Sequence, residues 1–166
     1  MKKELKLSLE SGQKYPMKKL LLAVCLGLVV AAVAYGAEKV EWLTDLPKAL
    51  AKAKAEKKLV LLEFTGSDWC PPCKELKKTV LSSPAFEAYA QTNLVLVELD
   101  YPHDKQQTEE LKKANADLAK KYEIEGFPTV IVLNADAKEV HKMIGYGGQT
   151  AKEFIADLEK VRKKSK

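Results

Sequence analysis

Sulfur and imidazole are scarce in this chain, whose 166 residues include three cysteines, three methionines and two histidines. Three cysteines are too few for a small scaffold stapled by disulfides. The histidines, His103 and His141, are 38 residues apart and lack the spacing of a zinc finger. No apolar run reaches the roughly 20 residues that a membrane-spanning helix needs; the run from residue 20 to residue 34 has 15. Repeats, low-complexity tracts and Gly/Ser-rich linkers are missing, which excludes a solenoid and a second domain on a flexible tether. With 46% hydrophobic and 31% charged residues, the chain has the composition of a globular protein and should fold around one core.

The first 36 residues read as a leader. Lys18 and Lys19 precede the 15-residue apolar run, small residues follow around Gly36 and Ala37, and the charged pair Glu38 and Lys39 comes next. This is the three-part pattern of a cleaved secretory signal. An uncleaved N-terminal anchor is the alternative. Met17 begins a conventional n-region and is a second candidate start. Cys25 follows Val24, where a lipobox needs a small residue. The whole chain carries a net charge of +5. Removing residues 1–36 takes away six lysines and two glutamates and leaves 22 basic against 21 acidic side chains, a charge of +1. The basic balance then no longer points to nucleic acid or a membrane surface. Cys25 leaves with the leader, so residues 37–166, the expected domain, hold only Cys70 and Cys73.

In that domain, Val40 and Trp42 suggest a short strand. Asp45 with Pro47 starts a helix carrying Leu46, Ala49, Leu50 and Ala53 at helical spacing. Leu59 to Thr65 is apolar almost throughout, as in a strand buried on both faces, and Gly66, Ser67 and Asp68 break it. Lys74 to Leu81 is helical in pattern, Pro84 opens another helix, and Leu94 to Leu99 is a second buried strand. Leu111, Asn115, Leu118 and Tyr122 mark a helix face. Thr129 to Leu133 and Glu139 to Ile144 are strands, and a Thr150/Glu153 capping box begins the last helix. Strands alternating with helices and ending in a hairpin predict an α/β fold, a central mixed β-sheet flanked by helices on both faces.

Cys70 and Cys73 fall at the junction of a buried strand and a helix. Their spacing can close a small reducible disulfide with the first sulfur at the helix N-terminus, where unpaired N–H groups and the helix dipole favour a thiolate. Pro71 pushes Cys70 out of the α region, as a cap requires, while Cys73 keeps an amide that can donate to the Cys70 sulfur. Cys70 would then attack a disulfide and Cys73 would resolve the mixed disulfide. Three other readings use the same pair: a permanent structural disulfide, a zinc site in which His103 and His141 complete four ligands, and a metal-binding module or metallochaperone that holds copper or zinc by the cysteine pair. Met143 is the only methionine left for copper.

Trp69-Cys70-Pro71-Pro72-Cys73-Lys74 after a buried strand, Gly126-Phe127-Pro128-Thr129 before the next core strand, and Ile144-Gly145 before the last helix resemble the thioredoxin superfamily over most of residues 40–162. The resemblance implies a thioredoxin fold and a thiol-disulfide oxidoreductase with no bound cofactor and no metal. It implies a cis Phe127–Pro128 peptide facing the disulfide, with Trp69, Phe127 and Pro128 forming the substrate surface. It also implies a buried carboxylate beneath Cys73, and Glu63 is the candidate proton acceptor. One more residue than usual separates Glu63 from Cys70. If Gly66-Ser67-Asp68 bulges outward Glu63 stays inward, and if it shifts the strand register Glu63 points away. No lysine lies on Leu94 to Leu99, where such proteins often place one near the acid. Asp68 and His103 read as surface residues. The expected partners are protein thiols or disulfides and, in an exported, periplasmic protein acting as a reductase, a membrane-borne source of electrons; no nucleic acid is expected, and the chain should be a monomer.

Overall fold

The computed structural model describes residues 40–165, so the leader expected over residues 1–36 lies outside the described residues. Within them the order is β1 (Trp42–Leu43), α1 (Leu46–Glu56), β2 (Leu59–Thr65), α2 (Pro71–Leu76) continued by a π-helical turn (Lys77–Leu81), α3 (Pro84–Asn93), β3 (Leu94–Asp100), α4 (Glu109–Lys121), β4 (Thr129–Leu133), β5 (Glu139–Ile144) and α5 (Ala151–Lys164). Local signals set most helix starts. The Asp45 carboxylate accepts from Lys48 N at 2.8 Å, Ser83 caps α3, and both halves of the Thr150/Glu153 capping box are formed. The first strand holds Trp42 but not Val40, which packs against the core instead.

The strands form one sheet in the order β1-β3-β2-β4-β5. β1 and β2 run parallel to β3, and β4 runs antiparallel to β2 and to β5. This is the mixed sheet the element order predicts. β2 and β4 are buried along their whole length, because their side chains alternate between two apolar layers. Val60, Leu62 and Phe64 face α1 and α4, packing with Ala49, Ala53 and Tyr122. Leu59 and Leu61 face the opposite layer, built from Leu76, Val80, Phe86, Phe154 and Leu158 of α2, the π turn, α3 and α5. Helices therefore cover both faces.

That alternation decides where Glu63 points. It shares the parity of Leu59 and Leu61, and so belongs to the α2 face. The ladder between β2 and β3 runs without interruption from Leu59↔Leu94 to Thr65↔Asp100, so the extra residue is absorbed in the turn after β2 and leaves the register intact. Glu63 keeps the inward position.

The predicted helix over Lys74 to Leu81 is present but not uniform. Its second half widens into a π turn, marked by Ser82 N donating to Lys77 O at 2.8 Å. Such turns recur at functional sites, and this one opens on a lysine.

Candidate active site

β2 ends at Thr65, and the tight turn Gly66–Trp69 feeds Cys70 into α2. Gly66 O accepts from Cys70 N at 2.9 Å. Cys70 is the N-cap, with extended backbone at φ −91° and ψ 105°, and Pro71 follows inside the helix. The cap position comes directly from the residue before a proline being kept out of the α region. Cys70 and Cys73 form a disulfide, and Cys73 N donates to Cys70 Sγ at 3.3 Å. Both residues are nearly enclosed, at 2% and 1% exposure. When the bond opens, a thiolate on Cys70 would have that amide and the helix dipole to stabilise it.

Glu63 lies on the same side of the sheet and lines, with Cys73, Thr65, Lys77 and Glu98, a cavity of about 240 Å³. The residue is fully buried, and its Oε1 has no hydrogen-bond partner. Burial pushes the carboxyl up to about 7, with Lys77 pulling the other way. An acid at that position can hold or release a proton near neutrality. The Lys77 ammonium is 3.5 Å from Glu63 Oε2 and 3.7 Å from Glu98 Oε2, and lies 3.9 Å over the Trp42 ring. The neighbouring strand lacks a lysine, as the sequence indicated, but the π turn that continues α2 supplies one. The four-residue spacing from Cys73 to Lys77, one helical turn, was the available signal.

Trp69 stands at the surface, 37% exposed, not in the core. Its ring stacks on His103 at 4.7 Å between centroids and meets Phe127 edge-on at 5.8 Å. Its Nε1 donates to Tyr101 O at 2.7 Å. Phe127 thus sits beside the residue that precedes Cys70, and the Phe127–Pro128 peptide is cis, as the resemblance implied. A Cβ on Gly66 would run into the Trp69 indole. Gly66→Ala, made in a Trp42→Phe background so that emission reports Trp69, is expected to shift the fluorescence and lower stability by about 1–3 kcal/mol in a urea titration. Unchanged emission and midpoint would mean that the indole is not wedged there.

Asp68, read as a plain surface residue, has definite work, and so has Ser67 beside it. The Asp68 carboxylate accepts from the backbone N–H groups of His103, Asp104 and Lys105 at 3.1, 2.8 and 3.3 Å. Desolvation by the loop opposes the charge, but those donors outweigh it and hold the carboxyl below its usual range. Ser67 binds the Asp100 carboxylate through N and Oγ, at 2.9 and 2.6 Å. The turn before Cys70 and the loop after β3 are thereby tied together. Their partners are more than 30 residues away, so no local pattern could reveal the pairing. The four ligands of the metal reading do not converge: among the described residues no group of three or more His, Cys, Asp or Glu could hold an ion. His103 is stacked on Trp69 and His141 is on β5.

Residues 46–162 match the family model described as a thioredoxin-like domain. The chain is 33% identical over 131 residues to the thioredoxin-related protein DsbJ of Chlamydia pneumoniae, covering 79% of this chain and 38% of that protein. It is 34% identical over 107 residues to the disulfide bond reductase DsbH of the same organism, covering 64% of each. It therefore spans less than two thirds of the length of either curated relative. A solved structure of a DsbH oxidoreductase superposes with a TM-score of 0.72 at 29% identity, covering 78% of this chain and 89% of the other. With the cysteine pair at a helix start, the cis proline and this match, the chain belongs to the thioredoxin-like domain family.

Proposed function

We propose that the protein is a thiol-disulfide oxidoreductase that reduces disulfides in other proteins. The observation that carries this reading is the Cys70–Cys73 disulfide at the start of α2, with a buried acid lining the cavity behind Cys73. In the dithiol form, the Cys70 thiolate attacks one sulfur of a substrate disulfide. A Cys70–substrate bond forms, the substrate bond breaks, and the departing sulfur takes a proton. Cys73 then gives its proton to Glu63 and attacks Cys70 Sγ, which closes the intramolecular disulfide and expels the second substrate sulfur as a thiolate. Two electrons pass from the pair to the substrate, and no bound cofactor is required. Trp69, Phe127 and Pro128 form the surface that receives the substrate chain.

The reducing direction is supported by the name of the DsbH relative, a disulfide bond reductase. The leader over residues 1–36 directs the domain of residues 37–166 across the inner membrane into the periplasm, where disulfides persist. Among the described residues no helix is long and apolar enough to cross a membrane. A reductase working there needs electrons carried across the membrane, so its redox partner is membrane-borne. The domain acts as a monomer.

The test is insulin reduction driven by dithiothreitol, together with equilibration of the pair against glutathione. Turnover above dithiothreitol alone and a potential near about −270 mV are expected for a reductase. A potential near about −120 mV would make the protein an oxidant. No turnover, with stoichiometric zinc or copper in the purified protein, would replace the reading with the metallochaperone.

A further inference from the structure

Glu63 is surrounded by charges from three elements. β3 presents Glu98, its register partner, and Asp100 beyond it; the π turn presents Lys77 and Lys78, and α2 presents Lys74 beside Cys73. Several of these are engaged elsewhere. Asp100 is held by Ser67, and Lys74 Nζ donates to Asp68 O at 2.6 Å. Lys77 remains paired with the acid, and Glu98 with Lys77. Exposure rises outward along this cluster: the Glu63 side chain is 1% exposed, Glu98 31% and Lys77 34%. A buried proton acceptor is useful in repeated turnover only if the proton can leave again, and the cavity lined by these groups leads from Cys73 to side chains that reach solvent.

We propose that Glu63, Lys77 and Glu98 form a proton outlet for the Cys73 step, in which Lys77 and Glu98 are positioning residues acting in opposite directions on Glu63. The inference rests on the oxidoreductase reading for the role of Cys73. The ammonium of Lys77 stabilises the Glu63 carboxylate, and the negative charge of Glu98 on the adjacent strand destabilises it. Glu98 in turn is drawn to the same ammonium. Lys77 thus keeps two like charges together at the cavity mouth, and its own position is fixed by the π turn and the Trp42 ring. When Cys73 releases its proton, Glu63 receives it, and the proton then leaves through the cavity to solvent. The proton is transferred unchanged along the cluster, and the electrons stay with the sulfur atoms.

The test follows the Glu63 side-chain carboxyl carbon by NMR against pH in the full chain with its disulfide closed. Removing the cation with Lys77→Met is expected to move the midpoint upward by about one pH unit, and Glu98→Gln to move it downward. Lys77→Arg should restore the wild-type value. The acid limb of the insulin-reduction pH profile should follow each displacement. A purely structural role for these side chains would not give shifts of opposite sign. Shifts in the same direction, no shift in either variant, or Lys77→Arg behaving like Lys77→Met would overturn the assignment. A pH profile that ignores the NMR shifts would overturn the link to the Cys73 step. Shifts as predicted with no turnover at any pH would support the electrostatic assignment while removing the oxidoreductase reading beneath it.

Discussion

Replacing Cys73 with serine is expected to turn the protein into a trap that holds its substrate through a mixed disulfide with Cys70. The attacking sulfur, its cap position and the amide at residue 73 all survive the change, so the first exchange still proceeds. The second cannot, because a serine hydroxyl does not displace a thiolate. Incubation with an oxidised protein substrate should give about one adduct per molecule, seen as a shifted band on non-reducing electrophoresis and reversed by dithiothreitol. Cys70→Ser should form no adduct and should fall to the uncatalysed background in insulin reduction. The contrast between the variants assigns the roles. If Cys70→Ser formed the adduct and Cys73→Ser did not, Cys73 would be the nucleophile, and the helix-cap argument would be wrong.

Glu63 predicts a stability effect of the opposite kind, in which removing a functional group strengthens the fold. The folded protein holds this carboxyl at about 7, against an ordinary 4.5, chiefly through burial. Below the ordinary value the acid is protonated in both states and costs nothing. As pH rises from there towards 7 the unfolded chain ionises first, and folded stability falls until the folded acid ionises as well. The difference amounts to about 3 kcal/mol. Glu63→Gln carries no such charge. Relative to wild type, its stability should therefore rise by about that amount between pH 4 and pH 8, a change of about 10 °C in melting temperature at the alkaline end. The same variant should resolve the mixed disulfide about 10²-fold more slowly at neutral pH. Parallel pH dependence in the two proteins would show that Glu63 titrates as an ordinary carboxyl, and it would remove the basis for its role as proton acceptor.

Much of this was legible in the residues, and the parts that were not have separate causes. The order of strands and helices follows from local periodicity and from cap residues such as Asp45 and Thr150, which act within a few positions of themselves. The cysteine pair is equally local: Pro71 and the helix start fix the geometry of Cys70. Glu63 was legible as a residue but not as an orientation, because one extra residue could have entered either the strand or the turn. The pairing of Thr65 with Asp100 decided it. Lys77 escaped because a lysine on the adjacent strand was the feature sought, while the one that serves lies a helical turn after Cys73. Asp68 escaped because its three donors lie on a loop after a different strand.

The Asp68 clamp also limits how the chain can change in length. Residues 66–68 and 103–105 are far apart in sequence, yet the carboxylate of one closes the backbone of the other. Deleting a residue from the first segment, or rebuilding the second alone, would leave the three amide donors and the carboxylate to water and release the tie between turn and loop. A change of length at either place breaks the clamp unless the other segment adjusts with it. The loop that bears His103 is therefore tied to the turn that leads into Cys70, although the two follow different strands.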